Sequence, residues 1–474
     1  MNMIDEEHNA FSSTTLKTWL ESVLRELKVQ RPILLPLLAM NFTWFAKILI
    51  TTAFLGRLGE LSLSGSTLGF TFANVTGFSI LNGLGYAVEP ICGQAFGAKN
   101  FKLLHKTLVM AVILLLTVSA PVSLLWLNID KILVHFGQQE DVSDVAKSYA
   151  RHLLPDLFII SFLCPLKIYL TAQNVTVPIM LSTAIGVAFH IPLNMLLLSK
   201  GVEGVSMAFW ITDFVILLML SLYTVISEWR NGGKWKEGGW LCDQKSGDWI
   251  SLLKLAAPCC LTTCLEWWCY EILVFLTGNL PNPKQSLGVV AIVLNFDYLL
   301  FSVMQSLSTC ASIRVANELG ADNAGGAIAS AYVSLALGFL SGALGGSAMA
   351  SARGFWGALF THERGIIRGV KKMMLIVAVM EVVNFPVAVS GGIVRGTARP
   401  WLGTYASICG FYLLALPLGV ILAFKIHLGL AGLLTGFVVG VAVCLVVLLL
   451  FMSRIRWDEE SSKAQLLAGG NDQT

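Results

Sequence analysis

The stretch Cys264-Leu265-Glu266-Trp267-Trp268-Cys269-Tyr270-Glu271 lies inside a run, residues 250–279, that is otherwise apolar enough to cross a bilayer. An ionisable side chain is costly there, and its usual justification is transport of a proton, an ion or a charged substrate. The chain around it has the composition of a membrane protein. Of its 474 residues 55% are hydrophobic and 13% charged, where a soluble domain carries about 25% charged residues. Twelve apolar segments of membrane length can be counted, at 32–56, 62–88, 104–128, 146–171, 176–199, 205–227, 250–279, 286–311, 326–350, 367–392, 401–424 and 429–452. They predict an all-α integral membrane protein with twelve transmembrane helices, whose environment is the lipid bilayer.

Other classes are excluded by what the sequence offers. A net charge of +3 without a long basic run argues against a nucleic-acid partner. The cysteines lie mostly in apolar runs, with Cys259, Cys260, Cys264 and Cys269 in one segment. They read as small apolar fillers, because no histidine stands at metal-ligand spacing from them. No metal or other cofactor is expected. The first 30 residues lack the basic start, apolar middle and cleavage site of a signal peptide, so the first membrane helix is expected to direct insertion.

The longest polar interruption runs from Glu228 to Asp248, with Trp229, Trp235, Trp240 and Trp249 in or beside it. It reads as a linker against a membrane surface. The expected layout is an N-terminal segment 1–31, an N-lobe 32–227, the linker 228–248, a C-lobe 249–452 and a tail 453–474. The Lys and Arg distribution places both ends and the linker on the cytoplasmic side, and the acidic loop 129–145 suits the opposite side. The halves also repeat. Pro192 and Pro417, and Gly204 and Gly429, are 225 residues apart; Gly97 and Gly320, and Asn100 and Asn323, are 223 apart. Two pseudo-symmetric six-helix bundles follow, with a cleft between them.

Several motifs then resemble one family. Glu89-Pro90-Ile91-Cys92-Gly93-Gln94-Ala95-Phe96-Gly97-Ala98 resembles the second-helix signature of the multidrug and toxic compound extrusion (MATE) transporters. Arg314 to Ala321 resembles the motif after the eighth helix, and Arg395-Gly396-Thr-Ala-Arg399-Pro400 the one after the tenth. Glu266 to Glu271 resembles the acidic motif of the seventh helix in eukaryotic members. The resemblance covers about residues 30–455, and its form looks most like the plant detoxification proteins. It implies two six-helix lobes forming a V, a central cavity, and export of small molecules in exchange for H+ or Na+.

Glu266 and Glu271 are about 140° apart around a helix and point different ways, whereas Glu266 and Tyr270 share a face. With the resemblance, Glu266, Glu271, Glu381 and Asp297 become the proton-coupling candidates. Asp156 and Asp213 are weaker ones, and His190 reads as an interhelical hydrogen-bonding residue or a proton relay. Many plant relatives carry an Asp eleven residues before the Arg of the Arg-Gly motif. Asn384 occupies that place here, and Glu381, one turn earlier, is positioned to supply the charge instead. Bacterial relatives often have an Asp in the first helix, where this chain offers Asn41 and Lys47, so coupling is expected through the C-lobe. The candidate cavity and substrate-binding residues are Asn41, Trp44, Phe70, Asn74, Tyr270, Asn295, Gln305 and Asn384. Pro36 is a candidate bend in the first helix, and the glycines 93, 97, 392 and 396 read as close-packing positions.

The sequence therefore reads as a monomeric proton-coupled antiporter, not an enzyme. It is expected to export organic cations, secondary metabolites or weak-acid hormones across the plasma membrane, or alternatively a vacuolar or other endomembrane. The alternative function is an ion channel or membrane sensor on the same fold.

Overall fold

In the computed structural model the described residues are 2–230 and 246–468, with side chains described from residue 21 onward. Among them the chain is helical with no strand. The N-terminal half comprises α1 (Asn2–Arg57), α2 (Glu60–Ala73), α3 (Ser79–Gly85), α4 (Val88–Gly97), α5 (Phe101–Leu127), the short α6 (Ile129–His135), α7 (Glu140–Ala172), α8 (Val177–Leu197) and α9 (Val202–Arg230). The second half comprises α10 (Ser246–Thr277), α11 (Pro283–Gly320), α12 (Ala324–Ala352), α13 (Arg364–Gly396), α14 (Pro400–Ser407), α15 (Leu416–Val420), α16 (Leu430–Ser453) and α17 (Trp457–Leu467).

Eleven helical stretches among the described residues are long and apolar enough to cross a membrane. The remaining expected segment, 62–88, is broken up: a π-helical turn at Asn74–Phe78 separates α2 from α3, and a further turn precedes α4. The α14–α15 segment is similarly interrupted by π-helical turns at Ile408–Ala415 and Ile421–Lys425, yet stays long enough to span. Twelve crossings result. Two limits differ from expectation. α1 runs unbroken through residue 32, with both Pro32 and Pro36 inside it. The expected tail contains α17. Of the linker, residues 231–245, with Trp235 and Trp240, lie outside the described residues, as do 469–474 of the tail.

Separate apolar cores sit in the two halves. One is built from residues such as Phe54, Leu81, Trp126 and Leu157, and the other from residues such as Phe296, Met304, Phe385 and Phe437. The repeat is visible in the backbone. Asn100 and Asn323 each cap the following helix, accepting at 3.0 Å from Leu103 N and Gly326 N. The residue before each adopts a left-handed conformation, Lys99 at φ 59° and Asp322 at φ 56°. The second offset needs correction, however. Gly201 (φ 66°, ψ −141°) has the same conformation as Gly429 (φ 56°, ψ −135°), so Gly429 is the counterpart of Gly201 and not of Gly204.

The lobes meet on one face, the one where α9 ends and α10 begins, called here the linker face. Glycine permits the contact. A β-carbon at Gly93 would stand 2.6 Å from Ala316 Cβ, one at Gly97 would strike the Asn317 carbonyl, and one at Gly320 would strike the backbone of Gln94. The end of α4 and the end of α11 therefore touch backbone to backbone. Polar ties reinforce this seam. Arg395 Nε donates to Glu89 Oε2 at 2.9 Å, and Gln94 Nε2 donates to the Gly396 carbonyl at 3.2 Å. The middle of α1, ahead of its membrane stretch, reaches the C-lobe, where Arg314 makes a two-pronged pair with Glu26 at 2.9 and 3.0 Å. Nearer mid-depth, Asn41 Nδ2 donates to Ser306 Oγ at 2.8 Å, and Ser302 Oγ donates to the Asn41 carbonyl at 3.4 Å. Trp268 Nε1 donates to the Val75 carbonyl at 3.3 Å. Among the described residues no polar tie between the lobes lies beyond these toward the opposite face. The lobes part there, as the arms of a V.

Within the N-lobe, Lys47 Nζ donates to Asp213 Oδ2 at 2.7 Å with both side chains nearly sealed from solvent, and the ammonium lies 3.6 Å from the centre of the Phe209 ring. Removing one member of such a buried pair leaves the other charge uncompensated, at a cost of about 3–5 kcal/mol. Lys47→Ala is expected to lower the melting temperature in detergent far more than the paired change Lys47→Met with Asp213→Leu; equal losses would contradict the pairing. Gly320→Val is expected to weaken the seam by about 1–3 kcal/mol through overpacking, read in the same melting assay.

Candidate functional site

The C-lobe interior collects acidic groups around Tyr270. Glu266, half-buried on α10, accepts from Ser407 Oγ at 3.2 Å through Oε1. One turn on, Tyr270 packs its ring 5.8 Å from Phe437, and it also lies within electrostatic reach of Asp297 and Glu381. Asp297 on α11 and Glu381 on α13 stand side by side in the lobe, at 6% and 0% exposure, with Asn384 next to Glu381. Neither Glu381 oxygen, nor Asp297 Oδ1, has a hydrogen-bond partner of good geometry. Glu381 is thus not paired with Lys371 or Lys372 at the membrane edge. The four groups form a discontinuous polar path through an apolar lobe. A small cavity adjoins it, lined by Tyr270, Leu273, Val290, Val293, Leu294, Met373, Val377, Met380, Leu434 and Phe437.

Helical geometry explains who belongs to this path. Positions 266 and 270 share a face of α10, while Glu271 lies elsewhere on the helix, half-buried near Tyr298. The expected divergence of the two glutamates is what the helix produces. Glu381 and Asn384 are one turn apart on α13, and Pro386 follows them inside the helix.

The expected substrate contacts separate into groups. Tyr270 and Asn384 sit with the acids. Asn41 spends its amide on Ser306, and Gln305 donates to the Tyr86 hydroxyl at 2.6 Å, so both serve as ties between the lobes. Asn295 donates at 2.9 Å to the Ala291 carbonyl of its own helix. Asn74 opens the π-helical turn of the second crossing, and Trp44 is 39% exposed on α1. Phe70 packs into the N-lobe, its ring centre 5.6 Å from that of Phe209. The glycines behave as close-packing positions: a β-carbon at Gly392 or Gly396 would meet the Ser308 or Ser312 carbonyl. The described cysteines are free, and no cluster of potential metal ligands occurs among the described residues.

A second buried polar cluster lies in the N-lobe, and sequence reasoning does not assemble it. Asp156 is fully buried beside the Lys47–Asp213 pair, with neither carboxyl oxygen in a well-formed hydrogen bond. Lys167 stands nearby. The His190 ring bridges Thr51 (3.0 Å) and Thr212 (2.7 Å), the interhelical role expected of it. The available signal is charge neutrality in an apolar medium: a lysine in one membrane segment calls for an acid in another. The Glu89–Arg395 tie is equally hidden in the sequence, because its members lie 306 residues apart.

Comparison with known proteins places this arrangement. The MatE family profile matches residues 36–196 and 258–421. The chain is 59% identical to Protein DETOXIFICATION 56 of Arabidopsis thaliana over 453 residues, covering 95% of this chain and 92% of that protein. It is 40% identical to Protein DETOXIFICATION 49 of the same plant over 457 residues, covering 95% and 90%. The crystal structure of the eukaryotic MATE transporter AtDTX14 superposes with a TM-score of 0.89 at 31% identity, over 94% of this chain and 100% of that one. The Vibrio cholerae MATE transporter VcmN in its bent form, at 16% identity, shares the fold with a TM-score of 0.78, over 94% and 99%. With both lobes matched and relatives aligned almost end to end, the chain belongs to the MATE transporter family.

Proposed function

We propose that this MATE transporter is a proton-coupled antiporter that exports small organic compounds by alternating access, with Glu266, Tyr270, Asp297 and Glu381 carrying the coupling proton. The observation that supports it most is the side-by-side burial of Asp297 and Glu381, with Tyr270 between them and Glu266. Two neighbouring carboxyls in an apolar interior hold a second negative charge only at high cost. A proton is therefore the natural occupant of the path. Its arrival removes charge, and its departure restores it.

In this reading the open cleft faces outward and the linker face is cytoplasmic, the orientation that the Lys and Arg distribution favours. Protonation of the C-lobe path from outside changes its hydrogen bonding and releases the substrate. The empty carrier then turns inward, loses its proton and binds substrate from the cytoplasm. The required driving force is a differential affinity of proton and substrate for the two states. Exposed aromatics such as Trp44 suit compounds with a flat or hydrophobic body. Organic cations, secondary metabolites and weak organic acids, including hormones, are the proposed classes. The protein acts as a monomer in the plasma membrane, with a vacuolar or other endomembrane as the alternative.

Inside-out vesicles with an imposed pH gradient test the coupling, using a panel of labelled cations, phenolics and hormone acids. Glu266→Gln is expected to lower pH-driven uptake at least about tenfold with protein level intact. Wild-type uptake by that variant would overturn the assignment. Glu271→Gln, which alters a group near Tyr298 and off the path, is expected to retain most of the uptake. Asn384→Asp adds a third carboxyl to the pair and is expected to change the pH dependence of uptake without abolishing it; an unchanged pH profile would place position 384 outside the coupling path.

A further inference from the structure

The helix α17 leaves no mark in the apolar pattern of the sequence, and no step described so far uses it. It lies on the linker face across the seam where α4 of the N-lobe meets α11 of the C-lobe, and it packs against α4, α11 and α12. Its inner surface is sealed: Glu460, Ser461, Ala464 and Ala468 are each 3% exposed or less. Its polar contacts reach both lobes. On the C-lobe side Ser461 Oγ donates to Asp322 Oδ1 at 2.8 Å, Gln465 Nε2 donates to the Gly320 carbonyl at 2.7 Å, and Arg399 pairs with Glu460. On the N-lobe side Asn100 Nδ2 donates to the Ala468 carbonyl at 2.6 Å. The residues it holds are the seam itself. Gly320 is the glycine that lets α11 touch α4, while Asn100 and Asp322 lie in the equivalent turns of the two repeats.

We propose that α17 is a latch: it clamps the two lobes together across the linker face and must let go of one lobe before that face can open. A helix bonded to both arms of a V cannot keep all its bonds when the arms separate. Among the described residues the N-lobe side is held by one hydrogen bond beyond the end of the helix and by the packing on α4, whereas Glu460, Ser461 and Gln465 make four polar contacts to the C-lobe, the fourth from Ser461 Oγ to the Leu319 carbonyl at 3.5 Å. The release point is therefore Asn100–Ala468 together with the α4 packing, and α17 travels with the C-lobe. The strength of the clamp sets how readily the inward-open state is reached, which makes the tail a control point separate from the substrate cleft. A partner or modification that competes for Ser461, Asp322 or Glu460 would tilt the equilibrium toward inward opening.

The latch rests on the two-lobe cycle proposed above, but a readout of lobe separation needs neither substrate nor proton coupling. The full-length protein in nanodiscs would carry spin labels on ketone-bearing residues in place of Trp229, at the end of α9, and Ser453, at the end of α16. Both positions are exposed and lie outside α17. Pulsed electron paramagnetic resonance then reports the distance between the lobes on the linker face. The wild type is expected to give mainly the short, closed distance. Ser461→Asp places a second carboxylate against Asp322 and is expected to raise the long-distance fraction at least about fivefold. Arg399→Glu, which sets like charges against Glu460, is expected to do the same, and combining it with Glu460→Arg to return the closed distribution. A closed distribution unchanged by both Ser461→Asp and Arg399→Glu would overturn the latch and leave α17 a passive cover. Should Ser461→Asp fail to yield folded protein, the Arg399→Glu and rescue pair decides alone.

Discussion

A charge buried in an apolar bundle must be paired, neutralised by a proton, or moved to water. That constraint sorts the ionisable groups of this transporter. Glu26–Arg314, Glu89–Arg395 and Lys47–Asp213 are ion pairs, each joining helices distant in sequence. The first two cross between the lobes, and the third ties α1 to α9 within one lobe. Asp156, Asp297 and Glu381 are buried carboxyls with no cationic partner in direct contact among the described residues. The paired groups hold the architecture, and two of the unpaired ones, Asp297 and Glu381, are groups to which the proposed coupling assigns a proton.

Glycine supplies the second half of the architecture. Charge pairs alone would hold the lobes at side-chain distance. Gly97 and Gly320 bring α4 and α11 to backbone distance, and Gly392 and Gly396 do the same for α13 against α11. The linker face is thereby closed by packing as well as by bonds. Toward the opposite face the described glycines pack helices only within a lobe, as Gly69 does against Ala146 and Gly346 against Ala378, and the lobes are not brought together there.

Most of the fold is legible in the sequence because membrane helices announce themselves by length and hydropathy, and because the repeat places the same turn chemistry at two sites. Spacing alone pairs Asn100 with Asn323, and the structure makes them equivalent caps. The Gly204–Gly429 offset misleads, since a few residues inserted between Pro417 and its glycine, relative to the first repeat, shift the register. The second crossing reads as one segment because a π-helical turn leaves no mark in hydropathy. Glu266, Tyr270, Asp297 and Glu381 are each visible as polar residues in apolar runs, but their assembly depends on helix rotation and lobe packing. α17 is short and polar enough to read as tail. Its burial is created by the seam beneath it and not by its own pattern.

The proposed coupling needs a physical route from the acid path to the seam, and α13 provides one. It carries Glu381 and Asn384 at the acids, Pro386 just beyond, then Gly392 packed on Ser308, and finally Arg395 bonded to Glu89 of the other lobe. Pro386 has no N–H to donate, so the helix is locally easier to bend between its acidic half and its seam half. A change in charge at Glu381 acts on one side of that point, and the lobe-to-lobe ion pair answers on the other. α10 offers a parallel route: Glu266 lies between Cys260, packed against the backbone near Gly83, and Trp268, bonded to Val75. These two helices, which carry three of the four groups of the proposed proton site, also carry contacts to the N-lobe. In the proposed cycle, protonation therefore need not act across empty space; it acts on two rigid elements that already grip the opposite lobe.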